Sequence, residues 1–146
     1  MNRKAKKGIL ISLLLAAILA VAFGYYLFNK GPVDVRNSDA IKANAIELYE
    51  QFNADSSGAL KKYSGKILEV RGVITSVSLN QMKEKIILLK TNTGGASVNC
   101  TMEEDPGEIK TGDDVSIKGI CSGMGQGDED LGIKGDVYLT RCFLIK

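Results

Sequence analysis

The hydrophobic and polar positions of this chain form three successive patterns, and each pattern predicts a different structure. Residues 9–28 are an uncharged apolar run. A helix of this length spans the ~30 Å apolar core of a bilayer. Residues 30–43 are mostly polar and predict a linker. Beyond Asn44 the apolar positions recur first at helical spacing and then at every second residue, which predicts helices followed by strands.

The helical pattern covers residues 45–53. Asn44 and Glu47 fit a capping box in which Asn44 is the N-cap. A second short turn of helix is predicted after it, capped by Asp55 or Ser56. Aromatic residues at helical spacing are typical of a core that packs against a sheet. Those aromatic residues are Tyr49, Phe52 and Tyr63.

Alternation of apolar and polar residues begins after Lys66 and predicts five strands joined by short turns. Gly72 lies in the middle of the first strand, where a glycine indicates a bulge or a bend. Helices followed by consecutive strands predict a small all-β barrel with an N-terminal helical cover. The predicted strands are residues 67–77, 85–90, 96–102, 115–122 and 137–145.

Several segments of residues 44–146 resemble the tRNA_anti-like OB-fold family. The resemblance implies a mainly β fold, a five-stranded OB-fold Greek-key barrel with strand order 1-2-3-5-4-1. It implies no particular activity, because the family name reflects a fold likeness to anticodon-binding barrels. The loop at 123–136 departs from the family pattern, since it is longer and richer in glycine. The segments that carry the resemblance are residues 45–49 with Phe52, Lys62-Tyr63, Gly65-Lys66, residues 69–74, 98–102, 112–123 and 136–142.

The order of charge and apolar residues at the N-terminus predicts where the chain resides. Residues 1–8 are basic and should stay in the cytoplasm, so residues 9–29 are predicted to anchor the chain in a bacterial inner membrane. The bilayer is then a partner through residues 9–28, and the domain lies in the periplasm. A cleaved secretory signal is the alternative, because Ala20-Val21-Ala22 resembles a cleavage site.

Composition narrows the functions open to this domain. Fourteen of the 19 basic residues and all 17 acidic residues follow residue 30, so the domain carries a formal charge of about −3. A basic footprint, which nucleic-acid binding usually requires, is absent. The chain contains no histidine and no tryptophan. It therefore lacks the commonest general base and metal ligand, and we expect neither an enzyme nor a cofactor.

The cysteines are the sharpest chemical feature of the exported part. Cys121 and Cys142 fall on the fourth and fifth predicted strands, so a Cys121–Cys142 disulfide is a candidate pairing. Cys100 alternates with apolar residues and is expected to be a buried small side chain. The chain has no CxxC pair, which argues against redox chemistry, and three thiols without histidine argue against zinc.

The acidic and glycine-rich loop carries two weaker signals. Asp128, Glu129, Asp130 and Asp136 lack the spacing of a calcium loop and are expected to form a solvated, flexible loop. No helix follows the glycines, so they do not form a phosphate-binding loop.

Barrels of this kind usually bind ligands on strands two and three with the adjoining loops, here residues 80–102 and 123–136. This surface offers polar side chains, and no aromatic ring is predicted on it, because Tyr138 and Phe143 are expected to pack or flank it. The polar residues are Lys83, Lys85, Lys90, Asn92 and Asn99.

These features lead to one functional hypothesis and one alternative. The hypothesis is a membrane-tethered extracytoplasmic binding or interaction module, whose partner is an envelope protein or a glycan. The alternative is an OB-fold protein that binds single-stranded nucleic acid or oligosaccharide, with nucleic acid disfavoured by charge and by the missing stacking residues.

Overall fold

The computed structural model describes residues 3–145, with the side chains of the first helix described from Ala5 onward. Residues 1, 2 and 146, which belong to the predicted basic segment and barrel, lie outside the described residues. The chain divides into two units between Val33 and Asp34. The elements are α1 (Arg3–Asn29), β1 (Ile41–Asn44), α2 (Ala45–Ala54), α3 (Ser56–Tyr63), β2 (Ile67–Leu79), β3 (Lys85–Lys90), β4 (Ser97–Met102), β5 (Asp114–Met124) and β6 (Val137–Ile145).

The first unit contains α1, which includes all of the predicted apolar run. Its segment Ala5–Asn29 is long and apolar enough to cross a membrane, and none of it is buried against other parts of the protein. The large apolar side chains of this helix are about half to nine-tenths exposed. The apolar run contains no charge and no Gly-Pro pair, which explains why it forms one continuous helix. In such a helix every backbone group except those at its ends is hydrogen-bonded internally.

The second unit is a closed barrel of five strands, β2 to β6. Neighbouring strands run in the order β2-β3-β4-β6-β5, and β5 pairs back to β2 from Ile67↔Ile120 to Val73↔Asp114. The β4–β6 pair is parallel, and the other pairs of the barrel are antiparallel. This is the order that the family resemblance implies, so the prediction of a five-stranded OB-fold barrel is confirmed.

The helical cover lies on the barrel core. The Asn44 side chain accepts a hydrogen bond from the Ile46 N–H, which confirms it as the N-cap of α2. Asp55 caps α3 by accepting from the Gly58 N–H. The aromatic residues of the two helices are buried, as predicted, and join the interior side chains of the strands in one hydrophobic cluster.

Gly72 lies where α2 approaches the barrel wall. A Cβ atom at this position would come within 2.9 Å of Ala45 Cβ and 3.2 Å of Leu89 Cβ. The missing side chain therefore lets the start of α2 pack directly on β2. The β2–β5 pairing is regular through Gly72. The register shift of the β2–β3 pair lies beyond the glycine, between Ile74 and Ser76, and so not at the predicted position.

The segment at residues 30–43, which the sequence predicts as a polar linker, is partly folded onto the barrel. Val35 is only 1% exposed. Arg36 places its guanidinium 4.7 Å from the centre of the Phe143 ring and pairs with Glu104. Residues Ile41–Asn44 form β1, which runs parallel to β2. Polar composition suggested a solvated linker, but one buried valine and a sheet edge hold this segment in place.

Candidate functional site

The outer surface of β3, β4 and β6 is the candidate ligand surface. Along β4 the side chains of Val98, Cys100 and Met102 are buried, and the alternate side chains face outward and are half-buried. The strand register then continues this alternation sideways, because Asn99 lies opposite Leu88 on β3 and opposite Tyr138 on β6. Outward-facing side chains from several strands therefore form one surface.

We call this surface the uncharged face and define it by six side chains. None of the six is charged, and none forms a side-chain hydrogen bond with another residue in the described part of the chain. The face thus combines an aliphatic side chain, three hydroxyls, an amide and a phenol whose hydrogen-bonding groups are free for a ligand. The six residues are Ser76, Leu88, Ser97, Asn99, Thr101 and Tyr138.

Tyr138 flanks strands two and three from β6, and it adds an exposed aromatic ring to the uncharged face. Its side chain is 41% exposed. A Cβ atom added to Gly125 would lie 2.8 Å from Tyr138 Cε2, so the ring lies over a position that only glycine fills without a clash. The strand order implied by the family resemblance places the fifth predicted strand beside the third. This order was the signal that could have located Tyr138 next to Asn99. Phe143 lies elsewhere, against Arg36.

Two of the predicted polar residues are engaged in contacts within the protein. Lys85 Nζ pairs with Asp105 Oδ1 at 2.7 Å. This ion pair lowers the pKa of the Asp105 carboxyl, because the charged carboxylate is the form that Lys85 binds. Asn92 donates to Glu50 Oε1 at 3.2 Å. Of the five predicted polar residues, Asn99 is the one at the centre of the uncharged face.

The remaining two predicted lysines lie at the ends of β3. Lys83 is in the turn before this strand and has a positive φ of 64°. Lys90 is exposed at the end of the strand and borders a cleft of about 330 Å³ beside the paired Arg71 and Asp114. Lys90 lies directly opposite Ser97 in the β3–β4 register, so its positive charge stands at the edge of the uncharged face.

The glycine-rich connection between β5 and β6 forms a narrow ribbon. Asp128 and Ile133 exchange two backbone hydrogen bonds of 2.8 Å, and Gly125 N–H donates to Asp136 C=O. A Cβ atom on Gly135 would lie 1.9 Å from the Gly125 carbonyl oxygen. The glycines therefore allow two backbone segments to lie in contact, which is their structural role.

The acidic residues of this ribbon are partly engaged by the backbone. Asp128 Oδ1 accepts hydrogen bonds from the N–H groups of Asp130 and Leu131. Asp136 Oδ1 accepts from the Ser97 N–H at 2.8 Å and so fixes the start of β4. These carboxylates shape the ribbon, and the acidic tip is exposed to solvent as predicted.

All three cysteines are buried and carry free thiols. Cys121 lies opposite Leu139 in the β5–β6 register, whereas Cys142 lies opposite Met102 on β4. The Cys121–Cys142 disulfide stays a prediction, and this register does not place those two cysteines opposite each other. A hydrogen bond with Cys142, together with burial, raises the pKa of the Cys100 thiol. Burial also raises the pKa of Cys121.

These shifts bear on the chemistry of the thiols. A thiol must ionise to act as a nucleophile, and a raised pKa keeps it protonated at neutral pH. Cys100 and Cys121 are therefore poor candidates for catalysis and good fillers of a small core.

Comparison with known proteins identifies the family. The model of the tRNA_anti-like family matches residues 1–130. The chain belongs to the tRNA_anti-like family. No curated protein matches it. Among solved structures, it is similar to a protein described as an aspartyl-tRNA synthetase from Leishmania major Friedlin, with 12% identity and a TM-score of 0.45. The match covers 80% of this tRNA_anti-like chain and 23% of that protein, and carries no argument about function.

Proposed function

We propose that this protein is a membrane-tethered binding module that holds an OB-fold barrel on the outer side of a bacterial cytoplasmic membrane. The uncharged face of the barrel is its ligand surface. The proposal includes no catalysis, since no histidine is present and the pKa values of the Cys100 and Cys121 thiols are raised, which disfavours the nucleophilic thiolate.

The apolar helix is the observation that carries the tether. Over Ala5–Asn29 none of the helix is buried, although isoleucine, leucine and phenylalanine side chains project on all sides. Burial of a large aliphatic side chain is worth about 1.5–3 kcal/mol, so an uncovered helix of this composition is unfavourable in water. A bilayer supplies the missing cover.

The basic residues before the helix set the proposed direction. Four cations precede residue 8, and positive flanks stay on the cytoplasmic side. The barrel then lies outside. An extracytoplasmic position also suits the acidic balance of the barrel, because it need not attract the nucleic acids of the cytoplasm.

A reporter fused after Lys146 tests the topology. Alkaline phosphatase should be active in this fusion, and a green fluorescent protein that folds only in the cytoplasm should be dark. A matched variant with glutamate at Arg3, Lys4, Lys6 and Lys7 should lose this bias, because the positive flank is gone. An inactive phosphatase fusion together with a fluorescent green fluorescent protein fusion would refute the proposed topology.

The ligand surface needs a separate test in intact cells. A photo-crosslinking amino acid replaces Tyr138, and a control carries it at Leu60, which is 39% exposed on α3 and lies outside the uncharged face. We expect envelope partners to crosslink from position 138 and not from position 60. Equal yields at the two positions, or cytoplasmic partners alone, would contradict the proposal.

Single-stranded nucleic acid is a second candidate ligand, because Tyr138 supplies the exposed ring that stacking requires. The name of the family to which this chain belongs also refers to a likeness to barrels that bind the anticodon of tRNA. Titration of labelled single strands at low salt tests this candidate, since true binding must weaken steeply as salt rises. A flat salt response, or no binding, would exclude it.

A further inference from the structure

We propose that the barrel makes a second membrane contact of its own, through the turn between β2 and β3. We call residues 79–84, the last residue of β2 and the turn that follows it, the β2–β3 tip. Its partner is the boundary between the lipid headgroups and the acyl chains. This inference rests on the proposed function, because it requires the tether, and it adds which end of the barrel faces the bilayer.

The β2–β3 tip exposes two large apolar side chains beside a cation. Leu79 is 64% exposed and Met82 is 76% exposed. Lys83 follows Met82 and forms no ion pair with the residues that the structure describes. This combination suits a membrane interface, because the apolar groups enter the acyl boundary while the ammonium group extends back toward the headgroups and water.

The backbone of the tip is already hydrogen-bonded within the protein. The Asn80 side chain accepts hydrogen bonds from the N–H groups of Met82 and Glu84. Two backbone bonds close the same turn, since Lys83 N–H donates to Asn80 C=O and Asn80 N–H donates to Glu84 C=O. Unpaired backbone groups are unfavourable away from water, so this pairing makes it easier for the tip to enter the interface.

The strand register places the tip at the end of the barrel where the tethered chain enters. β3 begins directly after the tip, and its first residues pair with the end of β4, which lies opposite Cys142 near the end of β6. The entering chain packs at that end of β6, where Arg36 lies over the Phe143 ring. Arg36 also pairs with Glu104, which lines a cleft of about 370 Å³ together with Leu79. The tip and the entry point are therefore neighbours.

This end of the barrel stays within reach of the bilayer. Residues 30–33 separate α1 from the folded barrel, and four extended residues span at most about 14 Å. The interfacial layer is about 5–8 Å thick on each side, since a bilayer of ~40–45 Å contains an apolar core of ~30 Å. A tip beside the entry point therefore reaches the headgroups without any unfolding of the barrel.

A second exposed apolar tip is a poorer membrane contact. Leu131 and Ile133, on the ribbon between β5 and β6, are 72% and 54% exposed. The ribbon leaves the barrel at Val137, the start of β6, whereas the chain enters beside Phe143, about 20 Å further along that strand. Three consecutive acidic residues at 128–130 also flank this tip, and the interface would desolvate their charges.

Tryptophan fluorescence tests the contact, because the chain contains no tryptophan of its own. Met82→Trp, Leu131→Trp and Phe23→Trp are reconstituted as full chains into vesicles of phosphatidylcholine with brominated acyl chains, since bromine quenches a tryptophan that it contacts. We expect Met82→Trp to lose about half of its emission or more, most strongly with bromine close to the headgroups, because interfacial groups lie ~5–10 Å deep. Leu131→Trp should keep its emission, and Phe23→Trp in α1 should be quenched, because it reports the tether itself.

A charge placed on the tip provides a matched pair of control variants. Leu79→Glu in the Met82→Trp background should abolish the quenching, because a carboxylate is unfavourable in the interface. Ile133→Glu in the same background should leave the quenching unchanged. Leu79 and Ile133 are both more than half exposed, so the midpoints of thermal unfolding should stay close to that of Met82→Trp alone.

Three results would overturn the inference. Unquenched Met82→Trp beside quenched Phe23→Trp would remove the barrel contact and leave the tether intact. Equal quenching of Met82→Trp and Leu131→Trp would show that the membrane does not select this end of the barrel. Unquenched Phe23→Trp would refute the tether, and the contact of the barrel with it.

Discussion

Tyr49 and Tyr63 are two buried phenols that differ in their hydrogen bonding. Tyr49 is fully buried on α2, and its hydroxyl has no hydrogen-bond partner among the residues that the structure describes. Tyr63 is 3% exposed on α3, and its hydroxyl donates to Gln51 Oε1 at 2.7 Å. Removing each hydroxyl by substitution to phenylalanine therefore provides a matched pair with opposite expected effects on stability.

The magnitudes follow from what each hydroxyl loses on folding. An unpaired buried hydroxyl carries a desolvation penalty of about 1–3 kcal/mol, so Tyr49→Phe should raise the free energy of unfolding by about 1 kcal/mol. A typical hydrogen bond contributes about 0.5–1.5 kcal/mol, so Tyr63→Phe should lower the free energy of unfolding by that amount. Gln51 keeps a bond from Lys62 Nζ at 3.1 Å, which limits the loss. The two variants should differ by about 2 kcal/mol.

Urea unfolding of the full chain in detergent, followed by far-ultraviolet circular dichroism, measures both effects. The midpoint should rise for Tyr49→Phe and fall for Tyr63→Phe, with the same slope against urea in both, because neither variant changes the surface exposed on unfolding. A midpoint that falls for Tyr49→Phe by as much as for Tyr63→Phe would show that the Tyr49 hydroxyl has a partner in solution and would refute the reasoning.

The buried Tyr49 phenol should also make the stability of the fold depend on pH in the alkaline range. Burial, and to a smaller extent the charge of Asp136, raises the pKa of Tyr49 above its ordinary value of 10.0. Above that pH the phenol ionises in the unfolded chain but stays neutral in the folded one. The folded state then binds more protons, so stability falls as pH rises. The urea midpoint of Tyr49→Phe should fall less between about pH 9 and 11 than that of the wild type.

Three further predictions concern packing. Gly72→Ala should destabilise the barrel by about 1–3 kcal/mol in urea unfolding, because the added methyl meets Ala45 at 2.9 Å, whereas Gly94→Ala, with open space around it, should change little. Val35→Ala should lower the free energy of unfolding by about 1.5 kcal/mol, because it removes two buried methyl groups. Val33→Ala should have little effect, because Val33 is 55% exposed. Equal effects of the two substitutions would contradict the docking of the linker. The three buried thiols should resist alkylation until the protein unfolds, and a single reactive thiol after unfolding without reductant would reveal a disulfide.

The pattern of the chain predicted the five barrel strands, and their order was implied by the family resemblance. Residues 97–102 alternate apolar and polar side chains, and residues 85–90 are an apolar run between two lysines. Glycine, asparagine or proline marks most of the turns between the strands. The bounds of Lys85–Lys90 and Val137–Ile145 match the prediction, and the other strands shift by no more than two residues at either end. The sequence also predicted the helix caps, because Asn44 and Asp55 accept hydrogen bonds from backbone N–H groups two and three residues away.

Contacts between distant segments were harder to predict. Residues 30–43 were predicted to form a linker because of their polar composition, and the burial of Val35 depends on a barrel surface formed far along the chain. The place of Tyr138 beside Asn99 depends on the parallel β4–β6 pairing, which joins residues separated by a long connection. The register that separates Cys121 from Cys142 includes two bulges in β6 pairing, and a bulge has no reliable sequence signal.

The docked segment 34–44 also determines how far the proposed module reaches. Only residues 30–33 lie between the end of α1 and the folded barrel, and four extended residues span at most about 14 Å. A free linker over 30–43 would have allowed an average excursion of about 20 Å and a maximum several times longer than the short one. Whatever the angle between the two units, the barrel would then sample a layer next to the bilayer that is little thicker than itself. A ligand held in the membrane would meet the barrel by a search in two dimensions, whereas a ligand fixed farther from the bilayer than this layer would stay out of its reach.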